Sequence, residues 1–265
     1  MFVTVFTTTY NRAHLLEHLY ESLLTQTNKN FEWLVVDDGS TDNTEELFRE
    51  WIKEKSFPVR YIKQANGGKH RAINKGVKEA NGELFFIVDS DDQLTCDAID
   101  VICSTCNKNS IKGAGLCYRK CDITKNKVLG ASFPKEGLVA SSLELTYRYN
   151  ILGDKAEIFY TSVLKEFPFP EFVGEKFVPE SLVWNRIALK YKMVCYNKPI
   201  YLCEYLNDGL SSQFSRLRKE NPRAYSLYYK EVFIGKYTTF NERLKALIRC
   251  AQCCLYILIL RTRHR

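Results

Sequence analysis

The stretch GELFFIVDSDD, residues 82–92, decides the fold expected for this chain. Its apolar run at 84–88 carries no charge, and the acids Asp89, Asp91 and Asp92 follow at once. Such a run predicts a strand buried on both faces, as in a parallel sheet. Ligands of open α/β sheets bind beyond the carboxyl ends of the strands, where these acids would lie. Clustered carboxylates favour a divalent cation carrying phosphates, and an acidic turn with a helix cap is the alternative.

Strands and helices alternate around this stretch. The patterns of apolar residues predict strands at residues 2–8, 31–36, 59–62 and 84–88, and helices at 14–26, from 41 onward and at 66–80. This alternation predicts an α/β fold with a parallel sheet and right-handed crossovers. The carboxyl ends of parallel strands share one edge, so Asp37, Asp38 and the acids after residue 88 should line one cleft. One acidic pair would accept hydrogen bonds from a base or ribose, and the other would hold a metal bound to a pyrophosphate.

Four segments in chain order resemble the motifs of the inverting family 2 glycosyltransferases of the GT-A fold. They are TTYNR at 8–12, VVDDGSTD at 35–42, NGGKHRAINKG at 66–76 and DSDD at 89–92. The resemblance covers residues 1–110 well and the later half more loosely. It implies a Rossmann-like, mostly parallel sheet flanked by helices. We expect a catalytic domain at 1–215, with its nucleotide-sugar half at 1–110 and its acceptor half at 111–215, and a helical tail at 216–265.

The resemblance assigns the nucleotide to the first two strand ends, at Thr8, Tyr10, Arg12 and Asp38. A carboxylate can accept from a uracil-type N–H, and a tyrosine ring can stack on the base. Tyr10 as a packed aromatic and Asp38 as a turn former before Gly39 remain the alternatives.

The triplet Asp89-Ser90-Asp91 corresponds to the family's DxD motif. The resemblance places Asp89 near the ribose or metal, Ser90 on the donor nucleotide and Asp91 on Mn²⁺ or Mg²⁺. The cation would neutralise a departing diphosphate. Asp92 would cap the next helix or orient a ligand.

The segment at 66–76 departs from the family pattern, because Ile73 occupies the usual arginine position. Lys69 and Arg71 precede it and are expected to supply the positive charge on the donor side. Glycines at a helix N-terminus also let backbone N–H groups approach a phosphate.

Inverting transfer needs a base, and the frame PESLVWNR at 179–186 places Glu180 at the family's base position. The acidic pair usual there is not preserved, so Glu175 is a rival. A glutamate in an apolar cleft can act as a base near neutral pH. A simple cap on a helix at 181–191 is the alternative for Glu180.

The acceptor side is expected at Asp154 and Lys155, and at Ser211 in a segment resembling the family's mobile loop over the pyrophosphate. A solvated turn at the first site and a disordered loop at the second are the alternatives.

Charge and cysteine usage limit the function classes. The net charge is +7, but six Lys or Arg and no acids lie in 243–265, so the rest of the chain carries only +1. This balance argues against a nucleic-acid-binding face. Ten cysteines without an export signal indicate reduced thiols in the cytosol. The two CxxC pairs, at 103–106 and 250–253, are expected to be core cysteines rather than a zinc site.

The tail from residue 240 has a helical stripe of apolar residues, with basic residues beside it and no run long enough to span a membrane. The stripe comprises Leu244, Leu247, Ile248, Ala251, Leu255 and Leu258. It predicts a peripheral anchor on anionic lipid, at the cytoplasmic face of the plasma membrane. A helix packed on the catalytic domain or on a second copy, in a homodimer, is the alternative.

These observations favour a metal-dependent inverting glycosyltransferase that uses a nucleotide-diphosphate sugar, with a preference for uridine. The acceptor would be a saccharide or a polyprenyl-linked saccharide in surface polysaccharide synthesis. A sugar-phosphate nucleotidyltransferase is one alternative, although its glycine-rich loop would follow the first strand. A non-catalytic nucleotide-sugar-binding protein is the other, and the intact acids Asp38, Asp89 and Asp91 argue against it.

Overall fold

The computed structural model describes residues 1–108, 113–203 and 214–263. The strands in these ranges are β1 (Val3–Thr9), β2 (Phe31–Asp37), β3 (Val59–Lys63), β4 (Leu84–Ile87), β5 (Gln93–Leu94), β6 (Gly115–Asp122), β7 (Lys127–Val128), β8 (Leu138–Ala140), β9 (Lys155–Tyr160) and β10 (Met193–Cys203). The helices are α1 (Ala13–Leu24), α2 (Thr44–Glu54), α3 (Lys69–Glu79), α4 (Ala98–Lys108), α5 (Ser142–Tyr147), α6 (Thr161–Glu166), α7 (Glu180–Lys190), α8 (Phe214–Glu220), α9 (Pro222–Ile234) and α10 (Phe240–Arg263).

One sheet runs through the described chain in the order β3-β2-β1-β4-β9-β6-β10-β5, with β7 beside β6 and β8 beside β10. The pairs β3–β2, β2–β1 and β1–β4 are parallel, so the α/β fold expected from the sequence is confirmed. The second half is mixed, because β9 runs antiparallel to both β4 and β6 while β10 is parallel to β6. The sheet is therefore mostly parallel on the side that carries the predicted cleft.

Both faces of the parallel strands are covered. On one face Trp33 packs with Tyr20 and Trp51, and on the other Phe6 stacks on Phe85 with ring centroids 4.8 Å apart. The helix α3 lies close against β1, since a Cβ added at Gly76 would fall 2.0 Å from the Phe6 ring. Burial on both faces explains why β2 and β4 are almost uninterrupted apolar runs.

The C-terminal helices are joined to the rest of the chain by polar contacts. Glu175 accepts hydrogen bonds from the N–H groups of Arg223 and Ala224 at the start of α9, at 2.8 and 2.9 Å. Arg186 on α7 forms a two-pronged ion pair with Glu231 on α9, at 3.0 and 2.6 Å. These contacts fix α9, on which α10 then packs.

The helix α10 packs through small residues, because Ala246 and Cys253 on its inner side are buried. The predicted stripe, including Leu244, Ile248 and Leu255, is exposed on the other side. The sequence left open a helix packed on the domain, and α10 does pack there, but through a different face from the stripe. No helix in the described part of the chain is long and apolar enough to cross a membrane.

All ten cysteines are free thiols. Cys103, Cys106 and Cys253 are buried, as expected for core residues, whereas Cys250 is half-buried between α9 and α10. The two CxxC pairs therefore behave as packing residues in this structure.

Candidate active site

The loops that follow β1, β2 and β4 meet at one edge of the sheet. Thr9 pairs with Asp37 at the ends of β1 and β2, and Val88 donates to the carbonyl of Phe6 just beyond β4. These pairings place the Thr8–Arg12 loop, Asp38 and the DSDD segment side by side, as the parallel order predicts. Tyr10 is 48% exposed at this edge, while Ser90 is buried beneath it.

Asp38 organises the loop that precedes α3. Its buried carboxylate accepts from the backbone N–H groups of Gly67 and Gly68, at 2.9 and 2.7 Å, and from the Gln64 amide at 2.8 Å. Gly68 has φ of +98°, and a Cβ there would fall 1.8 Å from the Lys176 carbonyl oxygen. The glycine is thus required both by its left-handed backbone and by close approach of a second chain segment. Sequence reasoning did not foresee this loop-holding role for Asp38.

Lys69, the first residue of α3, joins two acids from distant segments. Its ammonium lies 2.7 Å from Oδ1 of Asp89 and 2.8 Å from Oε1 of Glu180. Burial lowers the pKa of Lys69, but the two carboxylates outweigh burial and raise that pKa above its ordinary value. Burial likewise would raise the pKa of Asp89, yet the charges of Lys69, Lys120 and Arg12 bring it down to about 2. Asp89 is therefore ionised across the physiological range.

The second cation–carboxylate pair of the site joins Arg12 to Asp91. Nη1 of Arg12 lies 2.9 Å from Oδ2 of Asp91, and both side chains are partly exposed. Each DxD acid is thus paired with a cation through one oxygen, and the cations come from the loop after β1 and from the start of α3.

Asp92 supports the site from behind. It accepts a 2.6 Å hydrogen bond from the hydroxyl of Tyr201 on β10, and that hydroxyl accepts from the N–H of Asp89 at 3.1 Å. Burial, followed by the negative charge of Asp89, raises the pKa of Asp92 to about 7. The next helix, α4, begins only at Ala98, so the expectation that Asp92 caps it is wrong. Its expected orienting role agrees with the bond to Tyr201, a residue the sequence did not single out.

The donor set suits a divalent cation held jointly with a diphosphate. Among the described residues no three His, Cys, Asp or Glu side chains gather into a metal cluster. Mg²⁺ and similar hard cations, however, commonly bind through one or two carboxylates together with substrate phosphates. Asp89 and Asp91 would provide those carboxylates, and phosphate oxygens would complete the ligand set.

The two candidate bases have different surroundings. Glu180 is the first residue of α7, but Pro179 occupies the cap position and no side-chain cap bond forms there. The Glu180 side chain is 37% exposed and turns toward Lys69. Glu175 is buried and caps α9 through the N–H groups of Arg223 and Ala224. Burial raises the pKa of Glu175, although those two bonds act in the opposite direction.

The side chains of Arg71 and Lys155 both donate hydrogen bonds to backbone carbonyl groups. The Arg71 guanidinium donates to the carbonyl oxygens of Phe172 and Glu175, at 2.8 and 3.0 Å, and so holds the segment before α7. The Lys155 ammonium donates to the carbonyl of Gly153 at 2.8 Å, at the start of β9 beside Asp154. Ser211 lies outside the described residues.

Glu157 is an acid that the sequence reasoning did not single out. It lies on β9 and lines a cavity of about 530 Å³ between α5, α7, α9 and α10. Burial raises its pKa to about 7, Lys155 and Lys120 partly oppose this, and the charge of Glu180 adds to it. A signal was present, because Glu157 interrupts a short apolar strand with an unexpected charge. Ser181, next to Glu180, lines the same cavity, which therefore adjoins the candidate base.

The sequence and the fold are similar to those of known proteins. An uncharacterized glycosyltransferase of Rickettsia felis is 37% identical over 118 residues, which are 44% of this chain and 19% of that relative. This chain thus matches about a fifth of that relative's length. S. aureus TarS, solved in complex with UDP-GlcNAc, has a TM-score of 0.72 at 20% identity, with 97% of this chain and 72% of that chain covered.

A mannosyltransferase from Pyrobaculum calidifontis, solved with GDP-Man and Mn²⁺, has a TM-score of 0.57 at 18% identity, covering 98% of this chain and 75% of that one. At such identities the two structural likenesses show the fold. Residues 4–154 match the profile of Glycosyl transferase family 2. Because this match spans more than half of the chain, the protein belongs to glycosyl transferase family 2.

Proposed function

We propose that the protein is an inverting glycosyltransferase that transfers a sugar from a nucleotide-diphosphate sugar to a hydroxyl of a saccharide or lipid-linked saccharide. One observation carries the proposal: Lys69 lies within 2.7 Å of Asp89 and 2.8 Å of Glu180. Lys69 thus brings Asp89, the DxD acid on the donor side, and Glu180, the candidate base, into a single site. The family and the strand-end loops support the same reaction class.

The donor nucleotide would lie over the loop at Thr8–Arg12, with the exposed ring of Tyr10 available for stacking on the base. Lys69 and Arg12 would meet the diphosphate, since both present cations at the strand ends. A uridine donor is favoured because TarS, the structural neighbour with the higher TM-score of the two compared, was solved with UDP-GlcNAc. Asp38 contributes by holding the loop that carries Lys69.

Asp89 and Asp91 would hold Mn²⁺ or Mg²⁺ together with the diphosphate. The cation, when bound, supplies charge that neutralises the leaving diphosphate. The Tyr201 hydroxyl donates to Asp92 and accepts a hydrogen bond from the N–H of Asp89, and these two bonds keep Asp89 in place. The Mn²⁺ in the mannosyltransferase complex supports a metal of this type.

Glu180 would remove the proton from the acceptor hydroxyl. The acceptor oxygen then forms a bond to the anomeric carbon as the bond from that carbon to the diphosphate oxygen breaks, which inverts the configuration. The proton stays on Glu180 and the electron pair leaves with the nucleotide diphosphate. Asp154, Lys155 and Ser211 remain our candidates for contacts to the acceptor or the diphosphate.

The test is a thermal-shift panel of nucleotide diphosphates with and without Mn²⁺, since a ligand that binds only the folded protein raises its melting temperature. We expect UDP with Mn²⁺ to stabilise the wild type and to lose that effect in Asp91→Ala. Asp100→Ala, which removes an exposed acid on α4, is the matched control. An equal metal-dependent shift in Asp91→Ala would contradict the proposal. Turnover with a nucleoside triphosphate and a sugar phosphate would favour a nucleotidyltransferase instead.

A further inference from the structure

The outer face of α10 is apolar along its length. Leu244, Ile248, Leu255 and Leu258 are 48–57% exposed, and Phe240 at the start of the helix is 79% exposed. These positions recur at intervals of three, four or seven residues, so they share one side of the helix. An exposed apolar stripe of this extent marks a surface that contacts another apolar phase.

The inner face of the same helix is already occupied. Ala246 and Cys253 are 2% and 0% exposed against the body, and Tyr147 on α5 donates to Glu242 at 3.1 Å. The helix is therefore fixed in orientation by the fold, and its leucines are held outward. The stripe is a feature of the folded protein and not of a loose terminal segment.

The basic residues beside the stripe indicate what kind of partner binds this face. Lys245 and Arg249 are exposed beside the stripe, and Glu242 is the last acid in the chain. A second copy docked face to face in antiparallel orientation, about a twofold axis, would bring two such basic borders together. An anionic lipid surface instead offers an apolar interior and negative headgroups to the same helix.

We propose that α10 lies in the plane of an anionic lipid bilayer, with its leucine stripe in the acyl boundary and its basic border at the headgroups. A helix of 24 residues extends along the surface for about 36 Å. Buried Ala246 lines the cavity that also contains Glu157, and Lys245 and Arg249, which border the stripe, lie at the rim of the same cavity. Docking therefore brings this cavity next to the bilayer, which suits an acceptor anchored in the same membrane.

The experiment is flotation of the full chain with vesicles, in the absence of any sugar nucleotide, so that it does not depend on the proposed activity. Vesicles of equal parts phosphatidylglycerol and phosphatidylcholine are compared with phosphatidylcholine alone, at low and high salt. The test variant combines Leu244→Gln, Ile248→Gln and Leu255→Gln. Val173→Gln is the control, because Val173 is 89% exposed in the loop between α6 and α7 and is not part of α10.

We expect the wild type and Val173→Gln to float with the anionic vesicles, less so at high salt, and the triple variant to bind at least about tenfold more weakly. Equal flotation of the triple variant would overturn the proposal, as would a wild type that stays in solution with both vesicle types. Sedimentation velocity provides the second measurement. A wild-type dimer that becomes a monomer in the triple variant would assign the face to a second copy and overturn the lipid assignment.

Discussion

The ammonium of Lys69 lies 2.8 Å from Oε1 of Glu180, so the first residue of α3 is paired with the first residue of α7. The same ammonium is 2.7 Å from Asp89 at the end of β4. Two consecutive elements, α3 and β4, and the sequence-distant α7 thus present one cation and two acids to one cleft. A site of this kind can bind a charged donor on one side and accept a proton on the other, and four predictions test its parts.

The base assignment is tested by Glu180→Gln compared with Glu175→Gln. We expect Glu180→Gln to lower kcat by about 10²- to 10⁴-fold with donor affinity nearly unchanged, because a general base contributes that much. Glu175→Gln should lower the free energy of unfolding by about 1–3 kcal/mol, since it weakens the cap on α9, while kcat per folded molecule stays near wild type. Steady-state kinetics and urea denaturation measure both quantities. The reverse pattern would assign the base to Glu175.

The role of Lys69 is tested by Lys69→Met. Without its main counter-charge, Asp89 should have a pKa above the present value of about 2. Under the proposed function, metal-dependent donor binding requires ionised Asp89, so the acidic limit of binding should move to higher pH. Calorimetric titration of UDP with Mn²⁺ across a pH series measures this shift. Lys78→Met, which removes an exposed lysine from the end of the same helix, should leave the profile in place.

The loop-holding role of Asp38 is tested by Asp38→Ala. The substitution leaves the N–H groups of Gly67 and Gly68 without their acceptor, and we expect the free energy of unfolding to fall by about 2–4 kcal/mol. Donor binding should weaken as well, because the same loop carries Lys69. Thermal melts with and without UDP report the two effects separately. A fully stable Asp38→Ala that has lost only nucleotide binding would show that Asp38 contacts the base alone.

The acid beside the cavity is tested by the pH dependence of stability. Glu157 has a pKa of about 7 in the folded protein and an ordinary value of 4.5. Between these pH values the folded state holds a proton that the unfolded state releases, so this group's contribution to the free energy of unfolding falls as pH rises. In Glu157→Gln the free energy of unfolding should fall less steeply with pH, by the slope that corresponds to at most about one bound proton. Asp92, with its pKa also raised to about 7, contributes in the same direction and remains in the variant.

Urea denaturation at several pH values within that interval measures the slope. Glu17→Gln, at an exposed position on α1, serves as the control and should follow the wild type. An unchanged slope in Glu157→Gln would show that this carboxyl is already ionised in the folded protein.

Much of the parallel half was predictable from local pattern. The strand expected at 84–88 is found at Leu84–Ile87, and the helix expected from residue 14 begins at Ala13. These segments are predictable because a strand buried on two faces has a continuous apolar run, and a helix buried on one side has regularly spaced apolar residues. The helix expected from residue 66 begins at Lys69 instead, because Asp38, a residue from another strand end, holds Asn66 to Gly68 as a loop.

The antiparallel half of the sheet was harder to predict from the sequence. The strand β9 inserts between β4 and β6, and its partners are set by contacts between segments far apart in the chain. The same holds for Tyr201, whose bond to Asp92 depends on where β10 enters the sheet. Strand pairing across long separations has no local signature that one sequence can reveal.

The sequence by itself determined that acids would gather at the ends of parallel strands, since strand direction and strand ends are encoded locally. It also determined that the tail would have an apolar stripe with basic neighbours. Only the tertiary structure decided that Lys69 pairs with Glu180, and that the stripe of α10 faces outward while Ala246 and Cys253 face the body. The physical reason is that helical period gives the spacing of side chains on a helix, whereas packing against other elements decides which side is buried.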